Sequence, residues 1–216
     1  MDDISTPRSS HAAHDDLRYI RQTLAAAGHI STVPGKGLIA IGVAALGAVY
    51  LDGVLSGPGG RWVDPDPGAI QFIQEASHRA PQLVWLVLLV LAVAIGVATM
   101  RDKARRTSQT VWSPVLRKAL WGYGAAMGLG AILSAAALIS GRNDMVPEIW
   151  LGCYGVALVS AGGYSVSPVR WMGFCFLATA LGAAVTSPSL GLTWLALGFG
   201  WVHIAFGAYI AWRYDG

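Results

Sequence analysis

Long apolar runs alternate with short polar stretches along most of this chain. Beyond residue 36, six segments read as membrane spans, near 37–55, 82–100, 119–140, 147–163, 168–187 and 190–212. Each approaches the ~20 apolar residues that a helix needs to cross about 30 Å of hydrocarbon. Gly162, Gly163 and Pro168 crowd the junction of the fourth and fifth segments. A count of five, with that pair merged into one broken helix, is the alternative. Six is preferred because Ser165, Val166, Ser167 and Pro168, with Arg170 close behind, read as a turn.

Two further segments have an amphipathic or punctuated pattern instead. HDDLRYIRQTLAAAG, residues 14–28, places Leu17, Ile20 and Leu24 on one helical face beside Arg18 and Arg21, with Asp15 and Asp16 at its start. Such a basic helix suits an anionic membrane surface; the alternative is packing on the protein's own loops. GPGGRWVDPDPGAIQFIQEASHRAPQ, residues 57–82, is the longest connection. Its glycines and prolines end near Gly68, and residues 69–80 have room for one short helix outside the membrane. The expected fold is all-α: a polytopic transmembrane helical bundle of six spans with an N-terminal interfacial amphipathic helix. Residues 1–36 are the tail and that helix, and residues 37–216 the six-helix domain. The polar opening stretch is not expected to be a secretory signal.

Composition agrees with a membrane protein. The chain is 54% hydrophobic but only 12% charged, against about 25% charged in a soluble domain. The position of the charges orients it. With the N-terminus in the cytoplasm, the inside segments hold twelve of the fifteen basic residues. Only Arg61, Arg79 and Arg142 fall outside. By the positive-inside rule both termini are cytoplasmic. In a bilayer, helices associate through close packing of small residues rather than burial from water. The 27 glycines fall largely at helical spacing. The stripes are Gly42 and Ala45 in the first span, Gly124 and Gly128 in the third, Gly152, Gly155 and Gly162 in the fourth, and Ala196, Gly200, Gly207 and Ala211 in the sixth. Membrane lipids are the expected partners, with a homodimer or a membrane-complex partner as further candidates. Nucleic acid is not an expected partner.

Candidate chemistry is sparse. Cys153 and Cys175 belong to no metal-binding spacing and lie at different depths, so neither zinc nor an intrachain disulfide is expected. No GxSxG, HExxH or GxxxxGK[ST] motif occurs, and a bis-histidine haem lacks its second membrane histidine. No cofactor is expected. His203 stands alone in an apolar run, three residues after Gly200 and four before Gly207. That shared face points it into the bundle, where an ionisable residue marks a functional position by default. A structural role, through helix–helix hydrogen bonds, is the competing reading. His203 lies roughly 13 Å from the inner boundary at about 1.5 Å per residue. Its expected partners at that depth are Cys175 or Thr179 of the fifth span. At the outer end, Asp52 continues the small face of the first span, and Glu148 and Trp150 open the fourth. Arg142 is expected to pair with Asp52 or Glu148. Glu148 in a first helical turn also favours the helix dipole. The candidate ligand-binding residues are therefore His203, Tyr154, Asp52, Glu148, Trp150 and Arg142.

The stretches VPEIWLGCYGVALVSAGGYSVSPVRWMGF and GFGWVHIAFGAYIAWRYDG, with LRYIRQTLAAAGHISTVPGKG near the start, resemble an uncharacterised family of bacterial six-helix integral membrane proteins. Pro147, Trp150, Tyr154, Gly155, Ser165, Val166, Met172, Gly173, His203, Phe206 and Gly207 fill its pattern. Trp201, Trp212 and Asp215 depart from it, and residues 55–118 lie largely outside the likeness. The resemblance implies a six-helix protein of the bacterial inner membrane and supplies no activity. Three classes of function follow: a non-enzymatic sensor or accessory (scaffold) subunit; a small transporter or exporter with a midplane cavity near Asp52, Tyr154 and His203; and a membrane enzyme or redox carrier using His203 with Cys175.

Overall fold

The computed structural model describes residue 18 and residues 33–56, 71–106 and 114–214. The amphipathic helix expected over residues 14–28 lies outside the described residues, Arg18 excepted, as does most of the 57–82 connection. Helices α1 (Gly35–Ser56), α2 (Gln71–Arg106), α3 (Pro114–Ile139), α4 (Val146–Gly162) and α5 (Ser167–Val185) follow in order. The last span, Pro188–Tyr214, is composite. It holds a 3₁₀ turn (Pro188–Leu190), α6 (Gly191–Leu195), a π-helical segment (Ala196–Val202) and α7 (His203–Tyr214). Among the described residues, six helices are long and apolar enough to cross a membrane. In hydrocarbon a backbone must satisfy its own polar groups, which is why such segments form helices.

The fourth and fifth spans are separate, with the break at Gly163–Val166. Pro168 lies at the start of α5, where its missing N–H costs nothing. The short helix expected before the second span is not a separate element. It is continuous with that span in α2, which runs for 36 residues. At the end of α3, Arg142 N–H donates to Ala137 O (2.8 Å) and Gly141 N–H to Leu138 O (3.3 Å). Gly141 supplies the left-handed residue, φ 71°, that this C-cap requires.

Successive spans run antiparallel. One end of the bundle carries Lys103, Arg117, Arg170 and Arg213 and is called the basic end here; Asp52 and Glu148 lie at the other, the acidic end. In space the order is α2, α1, the sixth span, α5, α4, α3. Glycines make the two tightest seams. A Cβ on Gly42 would sit 2.8 Å from Gly200 O, and one on Gly207 2.8 Å from Ile39 N. Between α4 and α5, a Cβ on Gly173 would sit 2.8 Å from both Gly155 O and Val159 N. Backbone thus meets backbone, the packing that substitutes for hydrophobic burial within lipid. The stripe expected on the third span is on the wrong face. Gly124 and Gly128 touch nothing within 4 Å, whereas Gly122 meets Ser160 and Gly130 meets Cys153 of α4. Both pairs repeat at helical spacing, so spacing alone does not select the packed face.

Helix α2 is the exception to this close packing. Only 6% of its span is buried, against 22–39% for the other five. It packs on α1 and is held at both ends by polar contacts. Lys103 Nζ donates to Val33 O (3.2 Å) and Tyr214 O (3.5 Å) at the basic end. Trp85 Nε1 donates to Asp52 Oδ2 (2.5 Å) at the acidic end.

Candidate functional site

His203 begins α7 directly after the π-helical segment. It is 1% exposed, on the small face that Gly200 and Gly207 define, and its Cβ lies 3.1 Å from where a Cβ on Gly42 would be. Its hydrogen-bond partner is Tyr154 of α4, with Oη and Nε2 separated by 2.9 Å. This corrects the expected pairing with Cys175 or Thr179. Thr179 does face the sixth span, but at Gly198, 3.3 Å from a Cβ there. Its hydroxyl donates to Phe176 O (2.8 Å) in its own helix. Gly198 is five residues before His203, so Thr179 lies more than one helical turn away in depth from the imidazole. Cys175 is half-buried; the next residue, Phe176, meets the imidazole edge-on with ring centroids 5.3 Å apart. Phe199 stacks on the imidazole at 6.1 Å.

The second imidazole nitrogen, Nδ1, is buried without an aligned hydrogen-bond partner. The carbonyls of Gly198 and Phe199, in the widened π turn, are the backbone acceptors within its reach. Such turns leave carbonyls incompletely paired and recur at functional positions. With the proton on Nδ1, Nε2 accepts from the Tyr154 O–H. Tyr123 of α3 extends the chain: its ring stands edge-on to Tyr154 at 6.2 Å, and the two hydroxyls interact. Three spans therefore meet at one Tyr–Tyr–His line.

One turn away on α4, Trp150 opens a second cluster at the acidic end. Asp52 is fully buried and accepts from Trp85 Nε1 on Oδ2 and from Ser56 Oγ (2.7 Å) on Oδ1. Trp85 lies edge-on to Trp150 at 5.2 Å. Trp150 Nε1 donates to Ser134 Oγ (3.0 Å) of α3, which donates to Gly130 O (2.7 Å). A carboxylate held by two donors avoids the cost of an unpaired buried acceptor. Trp85 was not among the expected site residues. The available signal was its indole N–H near the start of the second span, at the depth of Asp52 and on a sequence-adjacent helix. Arg142 is exposed and acts on Glu148 as a charge, at longer range than a contact ion pair. Glu148 lies in the first turn of α4, where a negative charge complements the helix dipole. It lines a cleft with Leu129, Gly152 and Cys153.

The structure therefore brings His203 to Tyr154, and Asp52 to Trp150 through Trp85, with α4 carrying the link. Glu148 and Arg142 stand apart from both. Among the described residues no group of three His, Cys, Asp or Glu side chains is arranged to hold a metal ion. Comparison with known proteins gives no match to any family model, curated protein or solved structure.

Proposed function

We propose that this chain is a non-enzymatic accessory or sensor subunit of the bacterial inner membrane, with both termini cytoplasmic and α2 as the element that seats a membrane partner. The observation that carries the reading is α2 itself. It is clamped at each end by Lys103 and Trp85, yet the span between them is almost bare. A helix fixed in position before its partner arrives loses little freedom on docking. The polar side chains of the core point the same way, because Asp52, Trp85, Trp150 and Tyr154 spend their hydrogen bonds on joining spans. The resemblance to six-helix bacterial membrane proteins fits the same proposal.

The test is co-purification from native membranes in mild detergent. Val90 is 64% exposed on α2, and Ile132 is 68% exposed on α3. Val90→Trp is expected to strip a stoichiometric protein partner from the purified chain, and Ile132→Trp to retain it. Absence of any partner from the wild type, or equal retention by both variants, contradicts the proposal.

A second reading, a small transporter or exporter working near Asp52, Tyr154 and His203, draws on one observation: the unmatched Nδ1 of His203. His203→Gln separates the two. An accessory subunit keeps its partner with glutamine there, whereas a chain that handles a proton at the imidazole is folded but inactive.

A further inference from the structure

At the basic end, residues of α5 and α7 line a cleft of about 490 Å³. That volume falls within the ~300–1,000 Å³ typical of small-molecule sites. Trp171 of α5 and Phe206, Tyr209 and Tyr214 of the sixth span line it, and Ala205 leaves the space between them. Trp171 is 65% exposed and Tyr209 47%, so the rings lie open to lipid rather than packed in the core. Aromatic rings with one apolar and one polar edge belong at the membrane–water interface. Ser167 lines the end of the cleft where α5 begins. Arg213 is exposed and follows Tyr209 by four residues, so the stripe Ala205–Tyr209 continues into a cation at that same end.

We propose that this cleft binds one anionic phospholipid. Its acyl chain lies along Trp171 and Phe206, and its phosphate sits beside Arg213 and the Ser167 hydroxyl. An apolar cleft facing hydrocarbon takes an apolar occupant. The cation at its polar end, on the face that carries most of the chain's basic residues, selects an acidic headgroup over a zwitterionic one. This site lies between α5 and the sixth span, away from the exposed face of α2, and does not depend on the proposed partner.

Native mass spectrometry of the full chain, titrated with phosphatidylglycerol or phosphatidylcholine in detergent, tests it. One basic residue beside an anionic headgroup corresponds to about fivefold in affinity. The wild type is expected to retain one phosphatidylglycerol at least that much more strongly than phosphatidylcholine. Arg213→Gln should abolish the preference while an acyl chain still binds. Ala205→Trp, which fills the cleft, should remove the bound lipid, and Leu129→Trp on α3 should not. Equal retention of the two lipids by the wild type overturns the proposal. So does an unchanged bound lipid in Ala205→Trp that remains folded and monodisperse, since the lipid then sits elsewhere.

Discussion

At the scale of single residues, His203 and Asp52 show how a membrane bundle handles polar side chains. Each is buried, and each is tied to a neighbouring span: His203 to Tyr154, and Asp52 to Trp85. His203→Leu should lower stability by about 0.5–2 kcal/mol, because the Tyr154 hydroxyl loses its partner within lipid. The double variant with Tyr154→Phe should cost less than the sum of the two single changes. Thermal unfolding in detergent measures both; strict additivity would mean that the 2.9 Å contact contributes nothing. Asp52→Asn keeps one acceptor but turns an N–H₂ toward a donor, so it should destabilise the acidic end more than Glu148→Gln, whose residue is only half-buried. The inward direction of His203 was legible from Gly200 and Gly207. Its partner was not, because depth along one helix is shared by every neighbouring helix, and Tyr154 lies on α4 rather than α5. Asp52 was legible as buried-face chemistry, but the eye goes to Arg142 as its counter-charge. An indole N–H satisfies a carboxylate without a second ion, and nine tryptophans hid the one that does so.

At the scale of elements, the decisive contrast is between glycines that meet backbone and glycines that meet nothing. Gly173→Leu should push α4 and α5 apart, since its Cβ already falls 2.8 Å from two backbone atoms. Overpacking of this kind costs about 1–3 kcal/mol or more. Gly124→Leu should be silent, because no atom lies within 4 Å of its Cβ. Thermal stability of the two variants checks the pair, and a silent Gly173→Leu would break the account of that seam. The six spans were legible because length and apolarity suffice to define them. Their partners were not, because leucine is as content in lipid as in a core. That is why the stripe at Gly124 and Gly128 looks as good on paper as the one at Gly122 and Gly130. The π segment Ala196–Val202 was illegible too: ALGFGWV has no residue that demands a wider turn.

At the scale of the whole molecule, the bundle has a packed centre of α1, α4, α5 and the sixth span, with α2 and α3 on its flanks. The proposed orientation, with both termini inside, rests on the distribution of basic residues. With Cys153 and Cys175 replaced, a cysteine at position 108 should react with an impermeant thiol reagent only after the cells are opened. Labelling of intact cells would reverse the orientation. The bare span of α2 then gives the most direct test of the proposed function. A photo-crosslinking side chain is placed at Val90 in living cells, with Ile132 on α3 as the control. The account predicts one discrete protein adduct from position 90 and only lipid adducts from position 132. Lipid adducts alone from both positions would mean that α2 faces nothing but the bilayer, and would contradict it.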